Sequence, residues 1–116
     1  MPDVKTLLAS ALAYSGGTHS VEDVEAMVAD GRAHLWEGPN SIIVTQIEAF
    51  PQEKVLFVFL AAGNSAEILA MHEPLGQWAK AQGCTLARFI GRKGWERVLH
   101  EAGWHTTQDI VMEKRI

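Results

Sequence analysis

The residues of this 116-residue chain that could do chemistry are few: five histidines, one cysteine, a glycine-bearing turn and scattered carboxylates. His19, His34, His72, His100 and His105 show no metal-ligand spacing. His72-Glu73 is followed by Gly76 where a zinc protease helix would carry its second histidine. Surface or packing roles are expected for all five, and no metal is expected. Cys84 stands alone, which excludes an internal disulfide and a cysteine-based metal cluster. It reads as a structural thiol, with a nucleophile as the alternative. There is no P-loop lysine, no Gly-x-Gly-x-x-Gly and no nucleophile elbow, and Ser41 and Ser65 have no visible histidine and acid partners. What remains is the turn Gly63-Asn64-Ser65. Its backbone N–H groups, backed by a helix dipole, can hold a phosphate or another anion. The competing reading is an ordinary strand-to-helix turn. Glu48, near the end of a predicted strand, can act as a general base if it sits beside such a ligand; otherwise it is a solvent-facing acid. Arg92, Lys93 and Arg97 either meet an anion or are simply solvated at a helix start.

Residues 54–90 must position these groups. Val55-Leu56-Phe57-Val58-Phe59-Leu60 contains no polar residue, so both faces of that strand need cover. A turn over residues 61–65, a helix to about residue 82 and a second strand over 85–90 follow. Two strands joined by a helix are most simply parallel, with a right-handed crossover. Such a unit aims its turn at one edge of the sheet, where α/β proteins usually bind ligands.

The remaining elements follow from periodicity. Val4, Leu7, Leu8, Ala11 and Leu12 repeat at helical spacing, predicting a helix over 3–13. Ser20 is an N-cap for a second helix, with Glu22 and Asp23 in its first turn and Gly31 at its close. Residues 32–37 and 41–49 read as a hairpin around Gly38-Pro39-Asn40, and 50–53 turns the chain into the apolar strand. Pro74 predicts a kink, or a break that starts a new helical segment. A last helix over 95–102 and a final strand over 106–112 complete the prediction. The expected fold class is therefore α/β: one domain with a mixed sheet, an antiparallel meander plus one parallel pair.

Composition sets outer bounds. A hydrophobic fraction of 47% and a charged fraction of 21% are ordinary for a soluble domain. No apolar run approaches the roughly 20 residues that span a bilayer, and the first residues lack signal-peptide character. A cytoplasmic location is the expectation, with no membrane partner. The net charge is −4, spread unevenly. Lys5, Arg32 and Lys54 are the only basic residues before Lys80, whereas the remainder of the chain is mildly basic. Nucleic acid is disfavoured, because the chain is acidic and has no basic run interleaved with aromatics.

The order of elements resembles that of the GNAT fold, the Gcn5-related N-acetyltransferases, from about Ser20 onward, and a GNAT-like sheet carries helices on both faces. The tract Leu60-Ala61-Ala62-Gly63-Asn64-Ser65 aligns with the turn Gln/Arg-x-x-Gly-x-Gly/Ala that grips the cofactor pyrophosphate in that family. Gly63 fits, while Leu60 and Ser65 depart from the pattern. Gly91-Arg92-Lys93-Gly94-Trp95-Glu96-Arg97, followed by Gly103-Trp104, looks like small phage and prophage proteins of this fold. The resemblance implies acetyl-CoA or another acyl-CoA as cofactor, held at Phe59, Leu60, Ala61, Gly63, Asn64, Ser65 and Arg92. Glu48 would be the catalytic base toward a small-molecule or protein amine. It equally implies a non-catalytic phage accessory or virion-associated binding protein, whose partner is a phage virion protein. A second copy of the chain, as a homodimer, is open to either. The family's first strand and second C-terminal strand have no counterpart here. Its frequent tyrosine acid has none either, the only tyrosine being Tyr14.

Overall fold

The computed structural model describes residues 3–13, 17–91 and 93–116. Helix α1 (Val4–Leu12) starts where the Asp3 carboxylate accepts the Thr6 N–H at 2.7 Å. Helix α2 (Val21–Ala29) opens on a reciprocal capping box: Ser20 Oγ accepts the Asp23 N–H, and the Asp23 carboxylate accepts the Ser20 N–H. Together these bonds satisfy amides that the first helical turn leaves free.

Strands β1 (His34–Glu37), β2 (Ser41–Ala49) and β3 (Lys54–Gly63) form the predicted antiparallel meander. Strand β4 (Leu86–Phe89) pairs parallel with β3 through Val55↔Leu86 to Val58↔Phe89. The sheet order is β1-β2-β3-β4, so β1 and β4 are its outer strands. The mixed α/β architecture expected from the sequence is thus the architecture found.

Helices cover both faces. On one, Leu7, Leu8, Ala11 and Leu12 of α1 and Val24 and Met27 of α2 pack on Ile42, Val44, Leu60 and Ala62. On the other, α3 (Ser65–Ala70) and α4 (His72–Ala81) bring Ile68, Leu75 and Ala79 against Ile43 and Leu56, with Trp36, Trp78, Cys84 and Trp95 at the margin. Trp95 belongs to helix α5 (Gly94–Glu101). Each fully buried leucine contributes about 1.5–3 kcal/mol of apolar transfer.

Two expectations need correction, and the break expected at Pro74 is found with its position shifted. The strand before the turn runs through Gly63, so residues 61–63 are β-structure and only Asn64 separates strand from helix. The helix after it breaks at Met71, three residues ahead of Pro74, and Pro74 falls in the first turn of α4. Its missing N–H is costless there, since first-turn amides lack helical partners anyway. The strand expected over 106–112 does not form. Residues 104–116 carry no regular structure, because strand propensity at Ile110-Val111-Met112 yields a strand only with a paired neighbour.

Candidate functional site

The register of β3 breaks at one place. Val44 faces Leu60 and Thr45 faces Val58, so Phe59 is an extra residue, a β-bulge. The bulge reverses which side chains face which helices. Leu56 and Val58 point toward α3 and α4, whereas Leu60 and Ala62 point toward α1 and α2. It also coincides with the end of the parallel seam, since β4 pairs no further than Phe89. Beyond it β3 has no strand partner on that side among the described residues. The hairpin closes through Gly38 N–H to Ser41 O at 2.8 Å, which fixes the alternation of hydrogen-bonded pairs across β2. By that alternation Ile42↔Ala62 and Val44↔Leu60 are bonded pairs, and Ala61 turns its N–H and C=O toward the side where β4 has ended.

The turn itself is built differently from an open anion cradle. Asn64 caps α3, its Oδ1 accepting the N–H groups of Ala66 at 2.9 Å and Glu67 at 3.2 Å. The Asn64 N–H donates to Ser41 Oγ at 3.0 Å, and that hydroxyl donates to Glu67 Oε1 at 2.9 Å. Glu67 also accepts the backbone N–H of Asn40 at 2.8 Å and its side-chain amide at 3.3 Å. Three of the amides at the helix start are therefore bonded to the protein's own oxygens. A carboxylate lies among them. The bond from the Asn40 amide, with those from Ser41 and the Asn40 side chain, outweighs burial and holds the Glu67 carboxyl below its ordinary range.

Gly63 belongs to the same construction. Its φ is +115°, outside what L side chains comfortably adopt. A Cβ there would overlap the Asn40 carbonyl oxygen and sit 2.6 Å from Ser41 Cα. The glycine thus lets β3 and the start of β2 approach closely, with the hairpin filling the space on its Cβ side.

The other site candidates are scattered. Phe59 is half-buried over the α1–α2 core with its ring 4.8 Å from that of His19, Leu60 is buried, and Ala61 is half-buried on the opposite face. Ser65 is exposed. Glu48 is exposed at the far end of β2, opposite Val55. Eight strand residues, roughly 26 Å at the usual strand rise, separate that row from Gly63. Arg92 lies outside the described residues. Among the described residues, no group of three or more His, Cys, Asp or Glu could hold a metal ion, and no helix is long and apolar enough to cross a membrane.

The sequence reading missed the partnership of Ser41, Asn40 and Glu67. The sequence signals only the helix side of it: Asn64 with Glu67 at the third helical position is an N-cap pattern, but it does not name Ser41 or Asn40. It also missed an aromatic groove of about 290 Å³ at the β1 edge, lined by Val28, Leu35, Trp36, Trp78 and His34 among others. There the His34 and Trp36 rings each meet that of Trp78, at 4.8 and 5.1 Å.

No known family profile matches the sequence, and no curated protein resembles it in sequence. Three solved structures share the fold. A point mutant and the wild type of TTHA1254 from Thermus thermophilus align at TM-scores of 0.62 and 0.60, each with 13% identity, over 100% of this chain and 95% of that one. A tetramutant of BH1408 from Bacillus halodurans aligns at a TM-score of 0.60 with 16% identity, over 86% of this chain and 76% of that one.

Proposed function

We propose that this chain is a GNAT-like binding protein that does not transfer acyl groups, of the phage or prophage accessory, virion-associated kind. The observation that carries the reading is the occupied turn. A pyrophosphate arriving at this turn would meet the Asn64, Ala66 and Glu67 amides already bonded to Ser41 and Asn64, and an ionised Glu67. Like charges at that range repel, and breaking the capping bonds would cost further free energy. Glu48 supports the same reading, since an exposed acid three residues along β2 from the bulge row lies roughly 10 Å from it. The GNAT-like element order enters only as a resemblance, and a fold by itself carries no activity.

A second reading rests on a different observation, the unpaired backbone of β3 at Ala61. An acyl-CoA could lay its pantetheine along 59–61 by strand-like pairing. Held there, the acyl-CoA would supply a thioester as acyl donor to a substrate amine, and Glu48, through water, would take the amine proton.

Thermal unfolding with excess ligand separates the two. A ligand at 100 times its dissociation constant stabilises by about 2.7 kcal/mol. No shift is expected with acetyl-CoA, CoA or longer acyl-CoAs. A saturable shift with any of them overturns the non-catalytic reading and supports the acyltransferase.

A further inference from the structure

The β1 edge holds an unfilled place for one more strand. The same hairpin alternation that turns His34 and Trp36 toward β2 turns the N–H and C=O groups of Leu35 and Glu37 outward. Those groups have no backbone partner among the described residues. Beneath the edge lies the aromatic groove, which straddles it: Val28 and Leu35 belong to the α1–α2 face, Trp36 and Trp78 to the other. His34 Nδ1 is buried there without a hydrogen-bond partner, the one such side-chain atom among the described residues. A buried polar atom left so is costly and calls for a partner.

The groove offers an added strand apolar side chains from both faces of the sheet, Val28 and Leu35 on one and Trp36 and Trp78 on the other, which suits consecutive apolar residues rather than alternation. Among the described residues one such apolar run is exposed. Ile110, Val111 and Met112 are 78%, 64% and 82% exposed, in a segment with no regular structure. The outer edge of β4 suits them less, because Ala87 and Arg88 there are exposed and offer no covered face.

We infer that residues 108–112 of a second copy add as a strand to the free edge of β1, and that the exchange is reciprocal. Each copy donates its apolar run and receives the other's, which closes a two-fold dimer rather than a chain. Backbone bonds to Leu35 and Glu37 fix the added segment, and its apolar side chains fill the groove beside Trp36 and Trp78. This goes beyond the functional reading above and does not depend on it.

The test uses the full chain in solution. Light scattering across the micromolar to millimolar range is expected to give twice the mass of the chain. Val111→Asp, at an exposed position, is expected to halve that mass with the helical circular dichroism unchanged. Glu37→Pro removes an outward N–H without touching the β1–β2 ladder and is expected to do the same. In a Cys84→Ser background, mixing chains that carry Glu37→Cys with chains that carry Val111→Cys is expected to yield a disulfide-linked dimer. A monomer throughout that range overturns the inference, as does a dimer that survives both Val111→Asp and Glu37→Pro.

Discussion

Replacing Gly63 by alanine tests whether that residue serves packing or a ligand. The glycine has φ +115°, and an added Cβ would fall 2.6 Å from Ser41 Cα and 2.7 Å from Ser41 Oγ, besides overlapping the Asn40 carbonyl. Backbone held in a region unfavourable to L residues costs about 1–3 kcal/mol. Overpacking against atoms that cannot swing aside adds about 1–3 kcal/mol. The obstructing atoms are mostly backbone of the β2 start, so they yield only if the hairpin separates from β3. We expect a loss of about 4 kcal/mol, the middle of the summed range. In urea, with a slope near 2 kcal/mol per molar, the midpoint should fall by about 2 M at unchanged slope. A Gly63→Ala midpoint within about 0.3 M of wild type would refute the reasoning, since that is under 1 kcal/mol. Gly63 would then be free space at the sheet rim, as an open phosphate cradle requires.

Other substitutions probe the same network and the sheet. Ser41→Ala leaves the Asn64 N–H and a Glu67 oxygen without their shared, fully buried partner, and should cost about 1–3 kcal/mol in a denaturant titration. Thr45→Val removes the buried hydroxyl that accepts the Trp36 indole N–H at 3.0 Å; a similar loss of about 1–3 kcal/mol is expected, with a change in tryptophan emission. The carboxyls of Asp3, Asp23 and Glu67 are all depressed, in each case chiefly by a backbone N–H bond. Their folded values lie below their unfolded ones, so their contribution is full above about pH 4.5 and is lost as pH falls through the folded values. The urea midpoint should therefore stay level from neutral pH down to about 5 and drop below about 4, less steeply in Glu67→Gln.

Much of the fold is legible from residue pattern because it rests on local rules. Strand β2 has the predicted bounds, 41–49, and the Ser20 cap and Gly31 close frame α2 as its pattern indicates. The all-apolar Val55–Leu60 run does have cover on both faces. That same uniformity hides the bulge at Phe59, because a strand with no polar residue gives no alternation to reveal a change of face. The turn is only partly legible for a different reason. Gly63 reads as a ligand glycine from its own neighbours, and the structure adds a packing demand from Asn40 and Ser41, far away in sequence. Its character depends on a hairpin tip packing onto a helix start, which no local window contains. The final strand fails because propensity at Ile110–Met112 says nothing of whether an edge is in reach.

The central claim is that the protein's own groups occupy three amides at the start of α3, those of Asn64, Ala66 and Glu67. It is tested most directly by following the backbone N–H resonances of Asn64, Ala66 and Glu67 as acetyl-CoA is added to the labelled 116-residue chain. The account predicts that all three stay in place up to millimolar ligand and are protected from hydrogen exchange before any is added. Saturable shifts of these three resonances, or rapid exchange in the free protein, would contradict it.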